Sequence, residues 1–408
     1  MSKRVTVAVV AIGGYGQGYL RTLLEPENRE IAEIVAAVDP TPERCPYLDE
    51  FKALTVPICA TMEEYVARAS APADLVVISS PIHAHAPQTI AALEHGSNVL
   101  CEKPMCATVQ EADAVIAARD RAGKFVSIGY QGSFTSATHA LKADVRSGVL
   151  GKPVRLRTLC LWARTERYYT RNNWAGMRKT PDGAWVLDSP ANNAMSHSLH
   201  HMFYLLGDRA NTSARPARVV AELYRANAIT NFDTCAIRAF TDTDVEVLFV
   251  ASHAVEDRNT TEHIFEFERA TVTRGAEHGE IVATFTDGRT KTYPDAAEHY
   301  RHPGKLLDAI ERVRTGKPDV CGPEAARAQT LVINAAADAC PDITTFPSTM
   351  IVVTGEAGDR LTHVVGLEAM LRRCFDEGKL PSQTGFDWAK AGREVDLTNY
   401  THFPGGKP

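Results

Sequence analysis

The stretch Val5-Thr6-Val7-Ala8-Val9-Val10-Ala11-Ile12-Gly13-Gly14-Tyr15-Gly16 joins a run of β-branched residues to a glycine-rich turn, and it decides the fold. The run predicts a buried strand, and residues 16–24 predict a helix that Pro26 ends. Further strands are predicted at residues 31–38, 75–79, 98–101 and 125–128, and helices at residues 62–69, 86–95 and 109–122. This alternation predicts an α/β domain with a parallel sheet covered on both faces.

The turn has the spacing GxGxxG, with Ala11 at the first glycine position. A tight turn at a helix N-terminus lets backbone N–H groups approach a pyrophosphate, and the second predicted strand ends in Asp39, where a carboxylate accepts hydrogen bonds from a ribose. We therefore predict a Rossmann domain that binds a dinucleotide. The residues expected to contact the dinucleotide here are Ile12, Gly13, Gly14, Tyr15, Gly16 and Asp39. Asp39 would repel a 2′-phosphate, which favours NAD over NADP, although the nearby Arg44 moderates that preference.

The pattern changes after residue 128. Helices are predicted at residues 136–147, 193–206, 303–314, 323–339 and 361–377, and strands at residues 154–161, 218–224, 234–241, 245–252, 263–268 and 281–285. Adjacent strands with short turns predict an open, mainly antiparallel sheet. We expect two domains: a dinucleotide-binding Rossmann domain over residues 1–128, and an α+β domain for substrate binding and oligomerisation over residues 129–408.

Composition narrows the class of partner. The 408 residues are 44% hydrophobic and 23% charged, with a net charge of −6, so nothing favours nucleic acid or an anionic membrane surface as a partner. No apolar run is long enough to predict a membrane span. The nine cysteines show no CxxC spacing, which argues against zinc-ribbon and thioredoxin-type sites and favours reduced cysteines in the cytoplasm. A small-molecule partner is the resulting expectation.

Two further motifs follow predicted strands: Ser80-Pro81 with His85 downstream, and Glu102-Lys103-Pro104. Together with the glycine-rich turn they resemble the Gfo/Idh/MocA family of nicotinamide-dependent sugar and polyol oxidoreductases. The resemblance implies cofactor contacts for Ser80, His85, Glu102 and Lys103, with capping of the following helix as the alternative for His85. Gln131, just after the strand predicted at residues 125–128, could reach the cofactor or the substrate. The resemblance also implies a cis peptide at Lys103-Pro104, and a homodimer or homotetramer formed through an exposed face of the antiparallel sheet.

Lys103 has a chemical role that can be argued without the family. Ligands of open α/β sheets bind outside the carboxyl ends of the strands, which is where the predicted strand 98–101 delivers this lysine. An ammonium group there can hold a developing alkoxide or relay its proton. We therefore expect Lys103 to be catalytic, with a solvated surface lysine as the alternative.

The stretch from Asp188 to His201 is rich in histidine. By resemblance, His197 takes the position of the family's catalytic histidine, with Asn193 and His200 in positions that usually carry aspartate. Residues 193, 197 and 200 would share one helix face, so His197 is the expected general base and Asn193 and His200 are expected substrate contacts. Asn193 cannot stabilise an imidazolium as a carboxylate would, so Asp188 or Lys103 could assume part of the role. The histidine spacing does not indicate a metal site.

A basic and aromatic stretch, residues 162–174, follows the first strand of the second domain. Aromatic faces stack on sugar C–H bonds and Arg or Asn donates to hydroxyl groups, so Arg164, Tyr169, Asn172 and Trp174 are expected substrate contacts. A surface loop with its own packing is the alternative, and a nucleic-acid patch is disfavoured by the acidic net charge.

These observations predict an NAD-dependent dehydrogenase or reductase that transfers hydride between nicotinamide and a carbinol carbon of a sugar, glycoside, inositol or related polyol. Two other functions remain open at the level of sequence. One is a glycoside-cleaving enzyme that oxidises its sugar transiently and recycles NAD. The other is a nucleotide-binding sensor without catalysis.

Overall fold

The computed structural model describes residues 3–256, 259–274, 280–294 and 302–405. Its strands are β1 (Val5–Val10), β2 (Ala32–Val38), β3 (Ile58–Cys59), β4 (Leu75–Ile78), β5 (Asn98–Cys101), β6 (Val126–Ile128), β7 (Pro153–Trp162), β8 (Pro216–Arg225), β9 (Thr234–Thr241), β10 (Glu246–Ser252), β11 (Asn259–Phe267), β12 (Ala270–Arg274), β13 (Ile281–Phe285), β14 (Thr290–Tyr293), β15 (Thr344–Thr345), β16 (Ile351–Thr354), β17 (Leu361–Val364) and β18 (Glu394–Asp396). Its helices are α1 (Gln17–Leu24), α2 (Pro26–Arg29), α3 (Leu48–Ala53), α4 (Met62–Arg68), α5 (Ile82–His95), α6 (Val109–Ala122), α7 (Ser136–Ser147), α8 (Glu166–Thr170), α9 (Ser196–Leu205), α10 (His302–Thr315), α11 (Pro323–Ala339) and α12 (Leu367–Glu377).

The first sheet has the strand order β3-β2-β1-β4-β5-β6, and each of its strand pairs is parallel. Successive strands are added on one side of β1 as far as β3, and from β4 onwards they are added on its other side. The carboxyl ends of β1 and β4 therefore flank the switch point where ligands of such sheets bind. The glycine-rich turn follows β1 at this point. The predicted Rossmann fold is confirmed.

The chain folds into two compact units, and the first unit is built from three separate stretches of the sequence. It comprises Met1–Cys106, Glu111–Ser136 and Ala296–Arg327, whereas the sequence predicted one boundary at residue 129. Helix α10 packs in the first unit because Leu306, Ala309 and Ile310 are buried in the same apolar cluster as β1. A chain that leaves a domain and returns to it gives no local signal of the return.

The second unit contains a sheet ordered β14-β13-β12-β11-β7-β10-β9-β8-β15, with β18 paired to β8. Its pairs are antiparallel except β7 with β10 and β8 with β15. Side chains alternate between two cores: Val247 and Phe249 face one, and Leu248 and Val250 face the other. The predicted mixed, mainly antiparallel sheet is confirmed.

The chain itself covers the first face of this sheet and the central part of its second face. The first face packs against α9 and α11. The second packs against the C-terminal part of the chain, where Phe346, Leu371, Phe375 and Leu380 join the cluster of Leu248 and Val250. The sheet face expected to be exposed is therefore buried over the central strands by α12 and its flanking segments, whereas Thr273, Thr284 and Thr292 on β12–β14 are exposed.

Three predicted helices differ from the structure. The helix predicted at residues 86–95 is α5, which begins four residues earlier at Ile82. The other two were predicted too long. Residues 361–377 form strand β17 and then α12, with Gly366 between them in the left-handed region at φ 71°. The helix predicted from residue 193 begins at Ser196, and Asn193 lies in the turn before it. Both errors arise from extending a helical pattern past a turn.

Candidate functional site

The glycine-rich turn is shaped for close approach of a ligand. A Cβ on Gly16 would lie 2.1 Å from the carbonyl oxygen of Ala11 and 2.6 Å from Ser79 Oγ, so no side chain fits there. A Cβ on Gly14 would meet nothing within 4 Å, so the backbone is open at that residue. Ala11, at the first position of the motif, adopts φ 65°, a conformation that favours glycine. A closed turn with an open backbone at the start of α1 is what a pyrophosphate requires.

Asp39 is tied to this turn. Its Oδ2 accepts hydrogen bonds from the backbone N–H groups of Ile12 (2.8 Å) and Gly13 (3.1 Å), and its Oδ1 accepts from Thr41 N (2.8 Å). The carboxylate therefore fixes the glycine-rich turn against the end of β2, which the sequence did not predict. The Asp39 carboxylate also keeps a negative charge at the end of β2, where the adenosine ribose of a dinucleotide would bind. The turn and Asp39 together fit an NAD molecule.

Glu102 is not available for cofactor binding, contrary to the sequence-based expectation. It is buried, forms an ion pair with Lys305 of α10, and accepts a hydrogen bond from Tyr19 Oη. Burial raises the pKa of the Glu102 carboxyl, but Lys305 and Tyr19 outweigh this and hold the pKa below its usual value. Lys305 Nζ also donates to the Gly129 carbonyl at 3.2 Å. Sequence reasoning missed Lys305 because its partners lie far away along the chain.

His85 and Ser80 hold the backbone at the ends of two strands. The His85 ring places Nδ1 2.7 Å from the Pro104 carbonyl oxygen and Nε2 2.8 Å from the Ser80 carbonyl oxygen. Ser80 Oγ donates to Gln88 Oε1 at 2.6 Å. With both nitrogens against the backbone, His85 is not a direct cofactor contact.

Lys103 is half-buried directly after β5, and the Lys103-Pro104 peptide is cis, as the resemblance predicted. Its backbone N–H donates to Glu102 Oε2 at 3.1 Å. Gln131 opens the short turn after β6 in the same unit and is half-buried. The first unit thus collects the glycine-rich turn, Lys103 and Gln131 at the carboxyl ends of β1, β5 and β6.

In the second unit, His197 stands in the first turn of α9. Asn193, in the preceding turn, donates through Nδ2 to Asp188 Oδ1 at 2.6 Å. Asp188 is 1% exposed, and its Oδ2 accepts from Gly176 N at 2.6 Å. The buried carboxylate of Asp188 therefore lies within hydrogen-bond distance of the Asn193 side chain.

His200 is 1% exposed and stacks on Tyr204 at a ring distance of 5.5 Å. Burial, aided by the charge of Lys142, lowers the pKa of His200 to about 3. A neutral imidazole buried in the core of the unit is not placed to meet a substrate. The prediction of His200 as a substrate contact is therefore not supported by its position.

Residues 162–174 form a stack of arginine and aromatic side chains. Arg164 lies over Tyr168 at 5.2 Å, and Arg171 lies over Tyr168 at 3.7 Å and over Trp174 at 5.4 Å. Tyr169 packs edge-on against Tyr168 at 5.2 Å. These contacts place Arg164, Tyr169 and Trp174 in one cluster.

Asn172 has a local role instead. Its Oδ1 accepts from Trp174 N at 3.1 Å and from Ala175 N at 2.8 Å, which closes the turn after α8. The sequence prediction of Asn172 as a substrate contact is not supported by this arrangement. His253, at the end of β10, joins the cluster through a 5.3 Å ring contact with Tyr168. Nothing in the local sequence could have indicated it.

No group of three or more His, Cys, Asp or Glu side chains in the described part of the chain is arranged to hold a metal ion. None of the helices described is both long and apolar enough to span a bilayer.

Comparison with protein families finds a match for the N-terminal part of the chain. Residues 5–130 match the Gfo/Idh/MocA family, described as an oxidoreductase family with an NAD-binding Rossmann fold. The match supports the resemblance that the three motifs carry over this part of the chain, and the description of the matched family names an NAD-binding domain.

Curated relatives align with up to half of the chain. Inositol 2-dehydrogenase of Burkholderia cenocepacia is 28% identical over 203 residues, which are 50% of this chain and 54% of that protein. Inositol 2-dehydrogenase of Streptomyces avermitilis is 31% identical over 157 residues, 38% of this chain and 44% of that protein. The chain therefore spans about half the length of the curated relatives it matches.

Solved structures share the fold over most of the chain. The WlbA dehydrogenase of Chromobacterium violaceum, crystallised with NADH and UDP-GlcNAcA, superposes with a TM-score of 0.69 at 18% identity, covering 90% of this chain and 98% of that one. The UDP-N-acetylglucosamine 3-dehydrogenase of Acidithiobacillus ferrooxidans gives 0.64 at 17% identity, covering 82% and 97%.

Proposed function

We propose that this protein is an NAD-dependent dehydrogenase that acts on a CH–OH group of a sugar, glycoside, inositol or related polyol. The observation that carries the proposal is Lys103, which follows β5 at the carboxyl edge of a sheet whose domain matches an NAD-binding oxidoreductase family. The inositol 2-dehydrogenase relatives support a polyol substrate.

Each proposed catalytic group has a defined task. Bound NAD would supply hydride acceptance at the nicotinamide ring. Lys103 holds the alkoxide that develops on the substrate oxygen, or relays its proton. His197 accepts the hydroxyl proton as general base, and the Asp188–Asn193 hydrogen bond orients the amide that lies four residues before it. Arg164, Tyr169 and Trp174 form the proposed binding surface for the substrate's hydroxyl groups and apolar faces.

A substrate screen tests the activity. Purified protein is incubated with inositols, aldoses, uronates and glycosides, with NAD and separately with NADP, and absorbance at 340 nm is followed. We expect NADH formation with at least one polyol, and at least a 100-fold lower kcat in Lys103→Met and His197→Gln. No change in absorbance at 340 nm with any substrate and either cofactor would contradict the proposal. Substrate consumption without net NADH would identify the recycling glycoside-cleaving alternative.

Cofactor preference has its own test. The Asp39 carboxylate lies at the end of β2, where it would repel a 2′-phosphate. In Asp39→Asn we expect the ratio of NADP to NAD dissociation constants, measured by calorimetry, to fall at least tenfold. The amide also disturbs the bonds to Ile12 and Gly13, so NAD binding weakens as well. An unchanged ratio would show that Asp39 does not select the cofactor.

Location and assembly complete the proposal. All nine cysteines are free thiols, and eight are buried, which supports a reducing compartment such as the cytoplasm. A homodimer or homotetramer remains our expectation, but through a surface other than the sheet face that α12 covers. Light scattering coupled to size-exclusion chromatography measures the mass directly.

A further inference from the structure

The His85 side chain bridges two backbone segments that follow neighbouring parallel strands. Ser80 lies after β4 and Pro104 after β5, and the ring contacts the carbonyl oxygen of each, at 2.8 Å and 2.7 Å. The side chain is 1% exposed, so no water competes for either nitrogen. The ring therefore links these two segments beyond the last paired residues of the strands.

Both contacts are to acceptors, which limits what a neutral ring can do. A neutral imidazole carries one N–H group and can donate to one carbonyl, whereas an imidazolium can donate to both. Burial lowers the pKa of His85, opposed by the two carbonyls and Glu102, and the nearby charge of Lys103 lowers it further. A neutral ring that donates through Nδ1 would hold Pro104 and leave the Ser80 contact weak.

We infer that His85 is a positioning residue for Lys103: its Nδ1–H fixes the Pro104 carbonyl and thereby the direction in which the Lys103 side chain leaves the main chain. The role of Lys103 rests on the proposed function, but the hydrogen bond from His85 to Pro104 does not. A lysine displaced by 1 Å loses much of its effect on a developing charge, since catalytic groups act only at close and defined distances.

Three substitutions on α5 separate this role from simple packing. His85→Phe keeps a ring but removes both hydrogen bonds. His85→Asn places an amide N–H near the Nδ1 position and retains the bond to Pro104, whereas His85→Gln places it near Nε2 and retains the bond to Ser80. His95→Phe is the matched control, because His95 ends the same helix and packs on Tyr65 at 5.7 Å.

We expect kcat to fall at least 20-fold in His85→Phe and His85→Gln, and less than fivefold in His85→Asn. The dissociation constant for NAD, from calorimetry, should change less than threefold in all of them. His95→Phe should match the wild type. Equal losses in the Asn and Gln variants, or a loss that appears only in NAD affinity, would overturn the assignment.

A readout without turnover keeps the test independent of the proposed activity. Lysines are dimethylated with ¹³C-formaldehyde, and the Lys103 signal is assigned as the one missing in Lys103→Arg. We expect this signal to shift in His85→Phe and His85→Gln and to stay near its wild-type position in His85→Asn and His95→Phe. If the wild type lacks dehydrogenase activity but the signal follows this order, only the proposed function fails. A signal that does not move in His85→Phe overturns the inference.

Discussion

Ala11 shows how one backbone angle reveals a functional turn. The residue stands where the GxGxxG pattern has its first glycine, and it adopts φ 65° although it carries a Cβ. Its N–H donates to the Val38 carbonyl at 2.8 Å, and its own carbonyl accepts from Ser79 Oγ at 3.0 Å. These bonds hold a conformation that an L-residue adopts only at a cost of about 1 kcal/mol. The turn geometry is thus kept although the glycine is absent.

Replacing Ala11 by glycine should stabilise the protein. The left-handed conformation costs glycine nothing, and after its larger backbone entropy is counted we expect the free energy of unfolding to rise by about 0.5–1 kcal/mol. Urea denaturation followed by circular dichroism measures it. Ala8→Gly in β1, the strand before Ala11, is the control and should destabilise, because Ala8 is buried and lacks a positive φ. Destabilisation by both changes would show that Ala11 is not strained.

At the scale of elements, local signals were sufficient for most helices and strands. The bounds of β5, α6, α7 and α11 agree with the sequence because each has a clear period and a terminating turn. The two-residue strand β3 has too few residues to show a period. The glycine-rich turn after β1 could be predicted for the same local reason, whereas Lys305, His253 and the packing of α12 on the sheet depend on contacts between distant segments.

Helix α10 gives the clearest example of such a contact. Lys305 Nζ is fully buried, pairs with Glu102, and lies 5.2 Å and 5.4 Å from the ring centres of Tyr15 and Tyr19. Tyr15 belongs to the glycine-rich turn, so α10 connects that turn with the segment before Lys103. Breaking a buried pair leaves one uncompensated charge, which costs about 3–5 kcal/mol.

Lys305→Met should therefore lower the free energy of unfolding by about 3–5 kcal/mol, and adding Glu102→Gln should recover at least half of the loss. Lys317→Met is the control: its ion pair with Asp308 is partly exposed, and we expect a change below about 1 kcal/mol. Urea denaturation of the wild type, Lys305→Met, Glu102→Gln and the double variant gives the coupling energy, and Lys317→Met is measured beside them. A double variant less stable than Lys305→Met would contradict the role of the pair.

At the scale of the whole molecule, the second unit concentrates buried histidines. Burial lowers the pKa of His200, His253 and His263 to about 3 in each case, and lowers that of His201 well below its usual value. His263 contacts Thr158 Oγ1 at 2.9 Å, and His201 lies 6.4 Å from the His263 ring. These four rings are neutral parts of the core, so their protonation is coupled to unfolding.

Stability should therefore fall as the pH is lowered from 7.5 to 5.5. A histidine in the unfolded chain has a pKa of about 6.5. Below that pH these histidines are protonated in the unfolded chain but stay neutral in the folded protein. The contribution is fully present above about pH 6.5 and is lost progressively as the pH falls towards the folded pKa of about 3. Each ring contributes at most about 1.4 kcal/mol over this interval.

Urea denaturation at the two pH values measures the difference in the free energy of unfolding. In His200→Phe, which keeps an aromatic ring beside Tyr204, the pH-dependent loss should shrink by about one histidine's share. The exposed His402→Gln serves as the control and should leave the loss unchanged. A pH-independent stability would mean that these rings are protonated in the folded protein, and that the second unit opens to solvent around them.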